Sequence, residues 1–140
     1  MRKVVVSVIG TQDDASGEQN KIELVTKGTR YDKTGVSYVT YREEEASGMG
    51  GSTTLLKVFS DHFVVVRRGA IEQQMEFFPN RKCESRVTTP YGVITVCVDT
   101  KKIETAFGGK TMSLYAVYDL EINNKRQSSN TIAVSVREDE

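Results

Sequence analysis

The sequence predicts an all-β protein built as a single antiparallel up-and-down β-barrel of about eight to ten strands, calycin- or lipocalin-like in shape. Three observations carry that expectation. Runs rich in Val, Ile, Thr, Phe and Tyr alternate apolar with polar side chains. Short breaks of Gly, Pro, Asn, Asp and Ser separate these runs, and no segment sustains a helical period. Many strands in simple sequential order favour a closed barrel, because closure removes exposed strand edges. A two-sheet sandwich is the other architecture this pattern allows.

Lys3–Thr11 is the first strand, with Val4, Val6 and Val8 on one face. The polar stretch Gln12–Asn20, which holds Gly17, is a loop. Lys21–Tyr31 follows as a strand in which Ile22, Leu24 and Thr26 alternate with Glu23, Val25 and Lys27. Asp32-Lys33-Thr34-Gly35 is a turn into Val36–Glu43, which carries Tyr38 and Tyr41 on opposite faces. Glu44–Ser52 is the longest glycine-rich break. Thr53–Val98 then reads as a meander: Thr53–Phe59, His62–Arg68, Ile71–Phe78, Lys82–Thr89 and Val93–Val98, joined by tight turns. The last of these continues, through a bend, to Phe107. Gly108-Gly109 turns the chain into Lys110–Ile122, where Met112, Leu114, Ala116, Tyr118, Leu120 and Ile122 hold a long period-two face. Asn123–Ser129 is a polar loop, and Thr131–Arg137 is the last strand.

The chain of 140 residues is expected to form one domain, residues 1–140, large enough to bury about 68–70% of its unfolded surface. Its 19 basic and 19 acidic residues cancel, which removes the general attraction expected of a nucleic-acid or anionic-membrane binder. Lys101-Lys102, Lys125-Arg126 and Arg81-Lys82 are interleaved with acids and read as mixed, solvated faces. The apolar run Val4–Ile9 is too short for a signal-peptide core, and no stretch is long enough for a helical membrane span. With Cys83 and Cys97 as the two cysteines, the chain reads as a reduced, cytoplasmic protein.

Several short motifs occur in one order: Thr26-Lys27-Gly28, Gly48-Met49 with Thr53-Thr54-Leu55, Arg67-Arg68-Gly69, Gln74-Met75 with Phe77, and Thr89-Pro90-Tyr91-Gly92. On these the sequence resembles the YwiB-like family of small bacterial proteins, over nearly the whole chain. The tyrosine expected a few residues before the Pro-Tyr-Gly turn is absent at Arg86-Val87-Thr88. The resemblance implies a calycin-like barrel and no established activity, and a shared fold does not transfer one.

The chemistry-bearing residues are few. Ser60-Asp61-His62 has the letters of a hydrolase triad, but neighbours along a strand point in opposite directions, so it reads as a polar turn. Gly48-Met49-Gly50-Gly51 leads into a strand rather than a helix, unlike a phosphate loop, and Glu43, Glu44 and Glu45 beside it read as a solvated edge. If Thr89 pairs with Val93 across a bulged turn, Cys97 faces Ser85 and Cys83 lies diagonally on the same face. That is too far for an unstrained disulfide, so both thiols are expected buried and free. No metal, cofactor or enzymatic activity is expected.

Arg67 and Arg68 end an apolar strand, and the following turn decides which faces inward. The family resemblance implies Arg67. An inward arginine binds a carboxylate or phosphate, pairs with an inward glutamate, or reaches water at the barrel mouth. Two functions from different classes follow. In one, the barrel holds a small amphipathic or anionic ligand, with Arg67 at its polar end. Met75, Phe77, Met112 and Leu114 line the apolar part, and Tyr91 is counted with them. In the other, the barrel is packed shut and the protein acts through its surface, as a homodimer or partner-binding domain.

Overall fold

The computed structural model describes residues 1–43 and 51–139. Ten strands form one closed antiparallel barrel: β1 (Arg2–Asp14), β2 (Gln19–Lys33), β3 (Val36–Arg42), β4 (Ser52–Val58), β5 (Phe63–Gly69), β6 (Glu72–Phe77), β7 (Arg81–Thr89), β8 (Gly92–Phe107), β9 (Thr111–Ile122) and β10 (Lys125–Glu138). Each strand pairs with its sequence neighbours, and β1 closes the ring on β10, from Val4 opposite Glu138 to Asp14 opposite Ser128. The alternating sequence thus becomes a wall with one face in and one face out. Helix is absent among the described residues.

Three strands run further than the sequence pattern suggests. β1 and β2 extend to a tight turn at Ala15–Gly17, because Asp14 Oδ1 accepts from the Ser16 and Glu18 backbone N–H groups and the Ser16 hydroxyl. β10 begins at Lys125 and absorbs most of the stretch expected as a loop. Its polar residues Ser128 and Asn130 face inward and are buried, so hydrophobicity alone could not mark the strand. A register shift between Arg126 and Ser128 sets their phase. In β8 a second shift, between Thr100 and Lys102, is the bend expected after Val98. It turns Ile103 to the face that Val98 and Thr100 occupy earlier in the strand.

The interior has two levels. At one end Val4, Val6, Val39, Leu56, Val58, Phe63, Val98, Met112, Leu114, Val134 and Val136 form a packed core, each buried side chain contributing roughly 1.5–3 kcal/mol. That end is sealed by a polar cluster. Arg30, 3% exposed, donates from Nη2 to the Gly108 carbonyl at 3.1 Å and from Nε to Asp32 at 3.2 Å. Arg2 holds the other oxygen of the same carboxylate and the Gly109 carbonyl. At the other end the described residues surround a cavity.

The wall is continuous except between β6 and β7, where only Glu72–Thr88 and Gln73–Val87 are in register. Beyond them the Ser85 hydroxyl donates to the Gln74 carbonyl at 2.6 Å, a side-chain bond in place of the ladder. Between β2 and β3 the approach is unusually close. A Cβ on Gly28 would lie 2.3 Å from the Thr40 carbonyl oxygen, so that position accepts no side chain.

Candidate functional site

The β1–β2, β5–β6, β7–β8 and β9–β10 turns lie at the open end, where β3 also ends and β4 begins. Beneath them is a cavity of about 300 Å³, at the small end of the ~300–1,000 Å³ usual for small-molecule sites. Val8, Leu24, Met75, Val87, Val96, Leu120 and Ile132 give it apolar walls. Gln12, Asn20 and Ile22 line it as well and are solvent-exposed, so it opens to water beside the β1–β2 turn.

The charged part of the wall comes from two neighbouring regions. Arg67 faces inward because it pairs with Gln73, on the face of Met75, while Arg68 is exposed. Glu43, just past β3, faces inward with Tyr41 by the same period-two rule. Arg67 Nε lies 3.6 Å from Glu43 Oε1, an ion-pair distance too long for a hydrogen bond. The Thr54 hydroxyl donates to that oxygen at 2.7 Å, and the Tyr41 phenol also hydrogen-bonds to Glu43. Burial, then the Glu43 charge, push the Tyr41 pKa far above its ordinary value against the opposing pull of Arg67, so the phenol keeps its proton. Burial likewise raises Tyr118, again opposed by Arg67. Arg67 Nε is itself buried and has no hydrogen-bond partner among the described residues.

Two further amide groups on the wall are turned onto neighbours. Gln73 Nε2 is turned onto the Met75 sulfur at 2.6 Å. Asn130 Nδ2 donates to the Ser128 hydroxyl at 3.0 Å and the Tyr118 carbonyl at 3.4 Å.

Of the six residues expected from the sequence to bind a ligand, Arg67 and Met75 line this cavity. Phe77 is one layer below, stacked on Phe63 at 4.2 Å and edge-on to Tyr118 at 5.0 Å. Met112 and Leu114 are 2% exposed in the packed core. β9 starts at the sealed end, so its early inward positions fill the core and its later ones, Tyr118 and Leu120, reach the cavity. Tyr91 is 99% exposed and is no part of the wall. The Thr89 hydroxyl accepts from Tyr91 N–H and donates to the Gly92 carbonyl, closing a tight turn whose tip carries Tyr91 away from the barrel.

The same turn corrects the cysteine register. Thr89 pairs with Gly92, which puts Cys97 opposite Glu84 and Cys83 opposite Val98, on opposite faces of the wall. Both thiols are free, as expected, but half-buried rather than buried. His62 is sandwiched between Phe59 and Phe78, at 4.1 and 4.3 Å, with Asp61 2.7 Å from Nδ1. The aromatic sandwich gives this histidine a packing role. The glycine-rich break lies outside the described residues apart from Gly51 and Ser52, and Glu44 and Glu45 lie outside them too. Glu43 is the main departure: it is a buried partner of Arg67, not part of a solvated acidic edge.

The fold is also that of a solved protein. The crystal structure of ywiB protein from Bacillus subtilis superposes with a TM-score of 0.88, at 21% identity, over 99% of this chain and 93% of that one. In sequence, the uncharacterized beta-barrel protein YwiB of Bacillus subtilis is 25% identical over 131 residues, which is 94% of this chain and 88% of the relative. A family model described as a domain of unknown function, DUF1934, matches residues 6–134. The chain belongs to that family of YwiB-like β-barrel proteins.

Proposed function

We propose that the protein is a binding module that takes a small amphipathic molecule into the open end of the barrel. One observation carries the reading: an apolar cavity of about 300 Å³ whose wall holds a buried guanidinium N–H with no acceptor among the described residues. Buried donors in folded proteins are nearly always paired, and a ligand acceptor atom at Arg67 would pair this one. The apolar tail would lie against Leu24, Val96, Leu120 and Ile132, and burial of each CH₂ group contributes ~0.8 kcal/mol.

The test is binding of a short-chain, uncharged fluorescent fatty-amide analogue, combined with native mass spectrometry of protein purified from its cells. Wild-type protein should bind the probe at one site per chain. Val96→Phe, which narrows the cavity and leaves the Arg67 side chain unaltered, should weaken binding at least tenfold while the circular dichroism spectrum stays β-rich. Probe affinity unchanged in Val96→Phe would refute the proposal. So would a wild-type protein that binds no probe and carries no co-purified mass.

A further inference from the structure

We infer that the ligand's polar head is a neutral group that both donates and accepts hydrogen bonds, such as a carboxamide, rather than a free anion. This rests on the barrel-binding reading above and narrows it.

The argument is one of charge balance inside a cavity. A lone inward arginine would select an anion. Here the Glu43 carboxylate stands 3.6 Å from Arg67 Nε on the same wall, so the pair is neutral as a unit. An anion approaching Arg67 also approaches Glu43, and a cation approaching Glu43 also approaches Arg67. In a cavity with mainly apolar walls, neither ion recovers what it loses on leaving water.

A neutral head has no such conflict. The separation of 3.6 Å leaves Arg67 Nε without an acceptor among the described residues, and a carbonyl oxygen would supply one. The N–H or O–H of the same head can then donate to the Glu43 carboxylate, which already takes donors from Thr54 and Tyr41. The Gln73 and Asn130 side-chain amides are turned onto neighbours within the wall, and Arg67 and Glu43 are the charged groups among the described lining residues.

Three ligands with the same tail isolate the head: octanamide, octanoate and octylammonium, each competing with the fluorescent analogue at pH 7. Octanamide should displace it at least tenfold more effectively than either ion. Glu43→Gln removes the opposing charge and should shift the preference at least tenfold toward octanoate. Thr54→Val offers a second variant, which frees a lone pair on Glu43 without changing charge and should keep the order of the three ligands.

If octanoate competes best in the wild type, the head-group inference is wrong while barrel binding stands. If octylammonium competes best, it is equally wrong. If the three compete equally, the pair does not read the head group, and the inference falls. If the analogue does not bind at all, the barrel-binding reading falls, and the head-group inference with it.

Discussion

Replacing Arg67 by Met tests the ion pair directly. Met keeps an apolar stem of similar length and removes the guanidinium, leaving Glu43 in a site where its side chain is 4% exposed. At an effective dielectric of ~20, unit charges about 4 Å apart attract by roughly 4 kcal/mol, and removing one partner of a buried pair costs ~3–5 kcal/mol. Two features place this site at the lower end. The Nε–Oε1 distance of 3.6 Å carries no hydrogen bond, and Glu43 keeps the Thr54 and Tyr41 hydroxyls. The expected loss is therefore about 3 kcal/mol. Urea unfolding followed by circular dichroism would read it as a shifted midpoint with an unchanged slope. Glu43→Gln on the Arg67→Met background should restore most of the loss, because no stranded charge remains. A double variant as unstable as Arg67→Met alone would refute the pairing argument. A single variant as stable as wild type would refute it too.

Three further outcomes follow from the geometry. Burial opposes ionisation of Asp32, but hydrogen bonds from Ser37 and Arg30 and the charges of Arg30 and Arg2 win and hold its pKa below 3.8. Its contribution is thus present above the unfolded-state value near ~3.9 and lost as pH falls through the lower folded value. Urea midpoints of Asp32→Asn and wild type should differ most above about pH 4 and converge in acid, and a gap that widens in acid would contradict this. His62→Ala removes two ring stacks and should cost about 1–3 kcal/mol, while a change within experimental error would show that the sandwich is not stabilising. Burial raises the pKa of both Cys83 and Cys97. Each should alkylate more slowly in the native protein than in urea, and a disulfide between them, seen as a two-proton mass deficit, would contradict their placement on opposite faces.

Period-two alternation made the faces of the barrel legible, and it grouped Val4 with Val6 and Leu114 with Met112 on faces that are buried in the structure. It carried no information about height along the barrel axis. Met112 and Leu114 share a face with Tyr118 and Leu120, yet one pair sits in the core and the other at the cavity. Polar residues hid the rest. Glu43 follows Tyr41 by two positions and Arg30 follows Ile22, Leu24 and Thr26 in phase, so both were signalled inward by parity. Their charge argued for solvent, and partners distant in sequence overrule that argument: Arg67 for Glu43, the Gly108 carbonyl for Arg30. The Cys83–Cys97 register turned on one residue of turn length, which the Thr89 hydroxyl decides through its two bonds across the turn.

Closure of β1 onto β10 has a consequence for how the protein is made. A chain synthesised from its amino end presents β1 first, and one edge of that strand pairs with β2 within a hairpin. The other edge has to wait for the last strand. Through most of synthesis Val4, Val5 and Val6 therefore line an unpaired strand edge, the kind of surface that captures other chains. The barrel gains its sealed core in one late step that joins the two ends of the sequence, and contacts so distant make for slow folding. Crowded expression should favour aggregation before that step, and a holding chaperone that covers β1 should raise the yield of closed barrel without altering the stability of the finished fold.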